Sequence, residues 1–138
     1  MRKRSLLEQE LKNKLKLLRR TLREIGESRA VVLVEGKKDR EALERIGVKN
    51  NIVLVGMGAR AACEKIAGAD EAVVLADFDE RGEEIAREVE EALWACNIRP
   101  NLEHRRRLRY ILGVRNFEEI GGKLEEFEKK CKENKIEI

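Results

Sequence analysis

Three times in succession the chain passes from a short, almost wholly apolar run into a charged amphipathic one: AVVLVEG into KKDREALERIG, NIVLVGMG into ARAACEKIAG, and EAVVLADFD into ERGEEIAREVEEALWACN. Strands covered on both faces read as continuous apolar runs, whereas strands with one wet face alternate. The repetition therefore predicts successive β-α units and a parallel sheet held between helices. At 138 residues the chain is sized for one such domain, and with aromatics at 4% its core must be built from Val, Leu, Ile and Ala.

Helices flank this block. Leu7, Leu11, Leu15, Leu18, Leu22 and Ile25 recur at spacings of three and four, giving one long helix whose end is expected at Gly26. Its stripe must pack on the domain or on a second copy, so a homodimer through this helix, or a protein partner, is expected. Past Pro100 the pattern weakens. Arg99 to Tyr110 reads as a short fourth strand and a basic helix or loop, and LEEFEKKCKEN as a terminal helix. The expected division is an N-terminal helix over 1–27, an α/β domain over 28–120, and a C-terminal helix and tail over 121–138.

Composition narrows the classes. Charged residues make up 41% but the net charge is only +3, with the basic residues gathered in two places. One group holds Arg2, Lys3, Arg4, Lys12, Lys14, Lys16, Arg19, Arg20 and Arg23, the other Arg99, Arg105, Arg106, Arg107, Arg109 and Arg115. Such groups suit a phosphate backbone or an acidic partner. Cys63, Cys96 and Cys131 form no C-x-x-C pair, which argues against a zinc site or disulfide framework and for small buried side chains in a reducing cytoplasm. No apolar stretch reaches the roughly 18 residues of a membrane span, so a cytoplasmic location is expected. The Lys-, Arg- and Glu-rich surface resembles that of thermophile proteins. Trp94 is expected to pack its helix on the sheet, and His104 to lie on the surface among the arginines.

Each predicted strand ends in polar or glycine residues: Glu35 with Gly36, Gly56 with Gly58, and Asp77 with Asp79. In open α/β sheets the functional crevice lies beyond the carboxyl ends of the strands, so these ends share one rim. Three carboxylates on a rim repel one another unless a cation lies between them, and Mg2+ prefers such oxygen ligands. A chain turning through Glu80, Arg81 and Gly82 can swing both aspartates toward one ion. Asp39 is read either as a ligand for a second ion or as the carboxylate at a helix N-terminus.

Taken together, VVLVEGKKD and VVLADFDERG resemble the Toprim domain of topoisomerases, bacterial-type primases, RecR-type recombination proteins, OLD-family nucleases and the maturase of 5S ribosomal RNA. Glu35 with Gly36 matches the family's first motif, and Asp77, Asp79 and Gly82 match its D-x-D-x-x-G. The resemblance is greatest to small stand-alone archaeal members. It implies a Rossmann-like three-layer α/β fold with a central, mostly parallel four-stranded sheet. It also implies that Asp77 and Asp79 hold Mg2+, with Mn2+ as a substitute, and that Glu35 is a general acid/base or a further ligand. Glu35-x-x-x-Asp39 looks like the pattern that some members use for two metals.

Lys37, Lys38 and Arg60, with the backbone at Gly56 and Gly58, are expected to contact flanking phosphates, and Arg105 and Arg106 to line the path of a DNA or RNA substrate. The expected function is Mg2+-dependent cleavage of nucleic-acid phosphodiesters, as a nuclease or processing enzyme. The alternative is a non-catalytic nucleic-acid- or partner-binding module. A phosphatase of the haloacid-dehalogenase type fits less well, because its D-x-D closes the first strand. The lone Tyr110 has no topoisomerase domain around it.

Overall fold

The computed structural model describes residues 3–56, 58–113, 116 and 119–133, without the side chains of 3–5, 121, 124 and 131. Arg2 and Arg115, and the side chains of Lys3, Arg4 and Cys131, lie outside the described residues.

The elements run α1 (Lys3–Ser28), β1 (Val31–Val34), α2 (Lys37–Arg45), β2 (Ile52–Leu54), α3 (Ala59–Lys65), β3 (Glu71–Val74), α4 (Glu80–Ala95), β4 (Arg99–Asn101), α5 (Glu103–Leu112) and α6 (Ile120–Glu133). The four strands form one parallel sheet in the order β2-β1-β3-β4. Register pairs Val32 with both Ile52 and Val73, and Ala72 with Pro100. Pro100, which cannot donate to a ladder, sits on the edge strand, where that costs least.

Alternate residues of the central strands serve opposite layers, which is why the runs are apolar throughout. Val32 and Val34 of β1, with Val73 and Leu75, pack against Leu15, Leu18 and Ile25 of α1, Leu43 of α2, Leu108 and Ile111 of α5 and Phe127 of α6. Leu33, Ala72, Val74 and Ala76 face the other way, onto Ala62 and Cys63 of α3 and Ala86, Val89 and Leu93 of α4.

Several expectations are corrected. Trp94 is 59% exposed, because the buried face of α4 is set by Ala86, Val89 and Leu93, and its neighbour in sequence points elsewhere. Cys63 is buried as expected, but Cys96 is exposed at the end of α4. Helix α1 continues past Gly26 to Ser28, whose hydroxyl donates to the Ile25 carbonyl at 2.6 Å and accepts from the Ala30 N–H at 3.2 Å. The left-handed residue that ends the helix is Arg29, at φ +57°. The α1 stripe is also divided: Leu15, Leu18 and Ile25 are used within the chain, whereas Leu7 remains 66% exposed, with Leu6 beside it in sequence 70% exposed.

Candidate metal centre

The strand order makes β1 and β3 neighbours although β2 comes between them in sequence. From β1 the chain leaves toward one edge of the sheet and from β3 toward the other, so the connections part above this pair and a crevice opens there. Glu35 directly follows β1 and Asp77 lies just past β3. The backbone N–H of Asp77 donates to Glu35 Oε2 at 2.9 Å, locking the two segments together.

Asp39 brings the third carboxylate, from the first turn of α2. It is only 8% exposed. Its Oδ2 accepts from the Gly36 backbone N–H at 3.0 Å, satisfying a donor that the helix start would otherwise leave unpaired. Asp39 thus closes the start of α2, and its carboxylate also stands within the acidic group. One oxygen from each of Glu35, Asp39 and Asp77 lies within 4.8 Å of the others. The cleft before them, about 450 Å³, is walled also by Gly36, Lys37, Lys38 and Asn116. An all-carboxylate set opening to solvent fits a small hard divalent cation that keeps several waters, and does not fit a soft ion that selects thiolates.

Asp79 is placed differently. It is the N-cap of α4, and its Oδ1 accepts from the Gly82 N–H at 2.7 Å. Of the D-x-D pair, Asp77 alone stands in the group of three. A cap needs only an acceptor of suitable reach. Asp79→Ser is therefore expected to unfold in denaturant close to wild type, and Asp79→Ala to lose about 1 kcal/mol.

Gly82 also has another role than a turn. It lies inside α4, and a Cβ there would overlap the backbone carbonyl of Asp77. The glycine is what lets the first turn of α4 come down onto the acidic loop.

Lys37 and Lys38 are exposed in the first turn of α2, on the cleft wall. At the end of β2, Gly56 lies against the Glu35 backbone, where a Cβ would fall 3.7 Å from the Glu35 carbonyl oxygen; Gly58, at φ +112°, precedes α3, and Arg60 is 89% exposed and lies 3.5 Å from Glu64. Gly56 and Gly58 make a turn closed by the Gly58 N–H onto the Val55 carbonyl at 2.7 Å. Arg106 is 73% exposed and lies 3.6 Å from Glu103.

Arg105, expected on the substrate path, is buried instead. Its Nε donates to the Ala76 carbonyl at 2.8 Å, and its terminal nitrogen to the Asp77 carbonyl and, at 3.0 Å, to Glu83. Its guanidinium lies 5.5 Å from the Phe78 ring centre. The signal for this was helical spacing: His104, Arg105, Leu108, Ile111 and Leu112 share the buried face of α5.

His104 is likewise inside, 7% exposed, and its Nδ1 has no hydrogen-bond partner among the described residues. Burial pushes its pKa below the ordinary value against the pull of Glu24 on α1, with Glu71 at β3 and Glu103 and Arg107 on α5 also acting on it. A group whose folded pKa is lowered binds its proton more readily in the unfolded chain, so stability falls as pH drops through the unfolded value, about 6.5. Glu24, Glu71 and Glu83 are also lowered, from a starting value of 4.5. They act in more acid solution, below the window of about pH 5 to 6.5 in which the unfolded histidine takes up its proton. The wild-type urea midpoint is expected to decline across that window and the His104→Leu midpoint to decline less.

The chain thus has the class of a doubly covered parallel α/β domain with an acidic group where its central strands end. Residues 30–111 match the Toprim domain. The chain belongs to the Toprim family. A UPF0292 protein of Pyrococcus furiosus is 32% identical over 88 residues, covering 63% of this chain and 66% of that protein. One of Thermococcus gammatolerans is 31% identical over 104 residues, covering 73% of this chain and 78% of its own length. The chain therefore spans just under two thirds of the Pyrococcus relative. A solved structure of a protein from Aquifex aeolicus shares the fold with a TM-score of 0.64 at 24% identity, covering 72% of this chain and 94% of that one. Among the described residues no helix is long and apolar enough to cross a membrane.

Proposed function

We propose that this chain cleaves nucleic-acid phosphodiester bonds at a divalent cation, Mg2+ or in its place Mn2+, held by Glu35, Asp39 and Asp77. The observation that carries the reading is the convergence of three carboxylate oxygens within 4.8 Å at the β1–β3 crevice, where like charges repel one another. Bound there, the cation would polarise a phosphoryl oxygen and lower the pKa of a water.

The chain's own groups supply the rest. Glu35 Oε2 is engaged by the Asp77 N–H, leaving its other oxygen to take the proton of an attacking water. Lys37 and Lys38, exposed at the N-terminus of α2, offer positive charge to the phosphates on either side of the reacting one. Arg106 and Arg60, both well exposed, extend that charge along the surface. The open cleft, lined among the described residues by charged residues, Gly36 and Asn116, suits a polymer backbone better than a small apolar metabolite.

A second reading has its own observation. Lys16, Arg19, Arg20 and Arg23 line a groove on α1 that shares no residue with the acidic cleft. A module that binds nucleic acid there without cutting would use this face.

End-labelled RNA and DNA incubated with wild type and with Glu35→Gln and Asp77→Asn, each with Mg2+ or Mn2+, separate the two. Products that need the cation and vanish in both variants support hydrolysis and name the substrate. Binding without cleavage, equal in all three proteins, would replace the enzyme with the binding module.

A further inference from the structure

A cation inside a protein is costly unless its donors are paired, and Arg105 is 5% exposed. Its partners are unusual in kind. Two are backbone carbonyls, of Ala76 and Asp77, in the segment between β3 and α4, and the third is the Glu83 carboxylate on the first turns of α4. Arg109, one helical turn further along α5, holds the same Glu83 oxygen from outside at 3.0 Å. The Arg105 hydrogen bond is the foremost cause holding the Glu83 carboxyl below the usual range.

We infer that Arg105 is a positioning residue for the metal centre: its guanidinium clamps the Ala76 and Asp77 carbonyls and so fixes the direction in which the Asp77 carboxylate meets Glu35 and Asp39. The inference rests on the reading of those carboxylates as cation ligands. Past Val74 the segment leaves the strand, and its carbonyls need partners from elsewhere. Three constraints then act on the Asp77 main chain. Its N–H is held by Glu35, its carbonyl by Arg105, and the first turn of α4 presses on it at Gly82. The side chain is left facing the cleft. Only a planar fork with several fixed donors spans two carbonyls and a carboxylate together; an ammonium group is a single point.

Mn2+ titration followed by the electron paramagnetic resonance of the free ion tests this, on wild type, Arg105→Lys, Glu83→Ala and Leu93→Ala. Leu93, fully buried on the opposite side of the sheet from α5, serves as a variant that melts lower without touching the site. Arg105→Lys is expected to keep its circular dichroism and bind Mn2+ about tenfold more weakly or worse, as when a group supporting a ligand is removed. Leu93→Ala is expected to bind as wild type despite its lower melting point. Arg105→Lys binding within about twofold of wild type, well inside the effect of losing such a support, would overturn the inference. Should Arg105→Lys not fold, Glu83→Ala loosens the same guanidinium and is expected to weaken binding severalfold; unchanged binding there would overturn it equally. A wild type that takes up no Mn2+ would overturn the metal reading itself and this inference with it, a result recognisable because the free-ion signal then stays at full strength with every protein.

Discussion

Neutralising Asp77 is expected to make the protein more stable without metal and indifferent to divalent cations. Carboxylate oxygens within 4.8 Å of one another repel by about 1 kcal/mol in water and by a few at the edge of a protein. Asp77→Asn removes one charge yet keeps the main-chain bonds to Glu35 and Arg105, since both engage the backbone of residue 77. The metal-free variant should therefore melt a few degrees above wild type. Wild type gains on binding: at a cation concentration about 100 times the dissociation constant, linkage adds about 2.7 kcal/mol, or roughly 10 °C for a chain of this size. Calorimetric melts with and without Mg2+ should therefore cross, wild type lying below the variant in chelator and above it in Mg2+. Parallel shifts in both proteins would show that the cation acts elsewhere.

Gly82→Ala is expected to be the most damaging glycine-to-alanine change among the described residues. Alanine is normally the best helix former, and in an open helix interior it would add up to about 1 kcal/mol over glycine. Here the new Cβ would overlap the carbonyl of Asp77, an atom of the main chain and not the yielding end of a side chain. Either α4 lifts away or the acidic loop shifts, and Arg105 and the Asp79 cap are both tied to the parts that must move. A loss of about 3 kcal/mol or more is expected, beyond the usual cost of overpacking, together with loss of the Mg2+ response. Denaturant unfolding measures the first and calorimetry the second. A Gly82→Ala protein as stable as wild type would mean that α4 does not press on the loop.

The layered fold was legible because burial on both faces leaves its mark in the composition of each strand: VVLV and EAVV need no alternation when helices cover both sides. Glu35 and Asp77 were legible for a related reason, since a charge directly after such a run must sit where the sheet ends. Strand order was not. Hydrophobic pattern tells parallel from antiparallel, but nothing in β2 states that β3 will pair on the far side of β1. Nor does D-x-D spacing say which aspartate faces the crevice. That depends on where α4 begins, and Asp79, as its N-cap, is turned toward Gly82. Arg105 and His104 misled through their neighbours: in a run as basic as HRRRLR, composition points to solvent, whereas the three-and-four spacing with Leu108, Ile111 and Leu112 points inward. Periodicity was the better guide there.

The central claim is that Glu35, Asp39 and Asp77 share one divalent cation, and anomalous diffraction from crystals of the wild-type protein soaked in Mn2+ tests it most directly. The account predicts a peak bounded by these three carboxylates, with oxygen distances of about 2.1 Å as a small octahedral ion requires. Well-ordered crystals with no peak there, or with the ion held at another place on the surface, would contradict it.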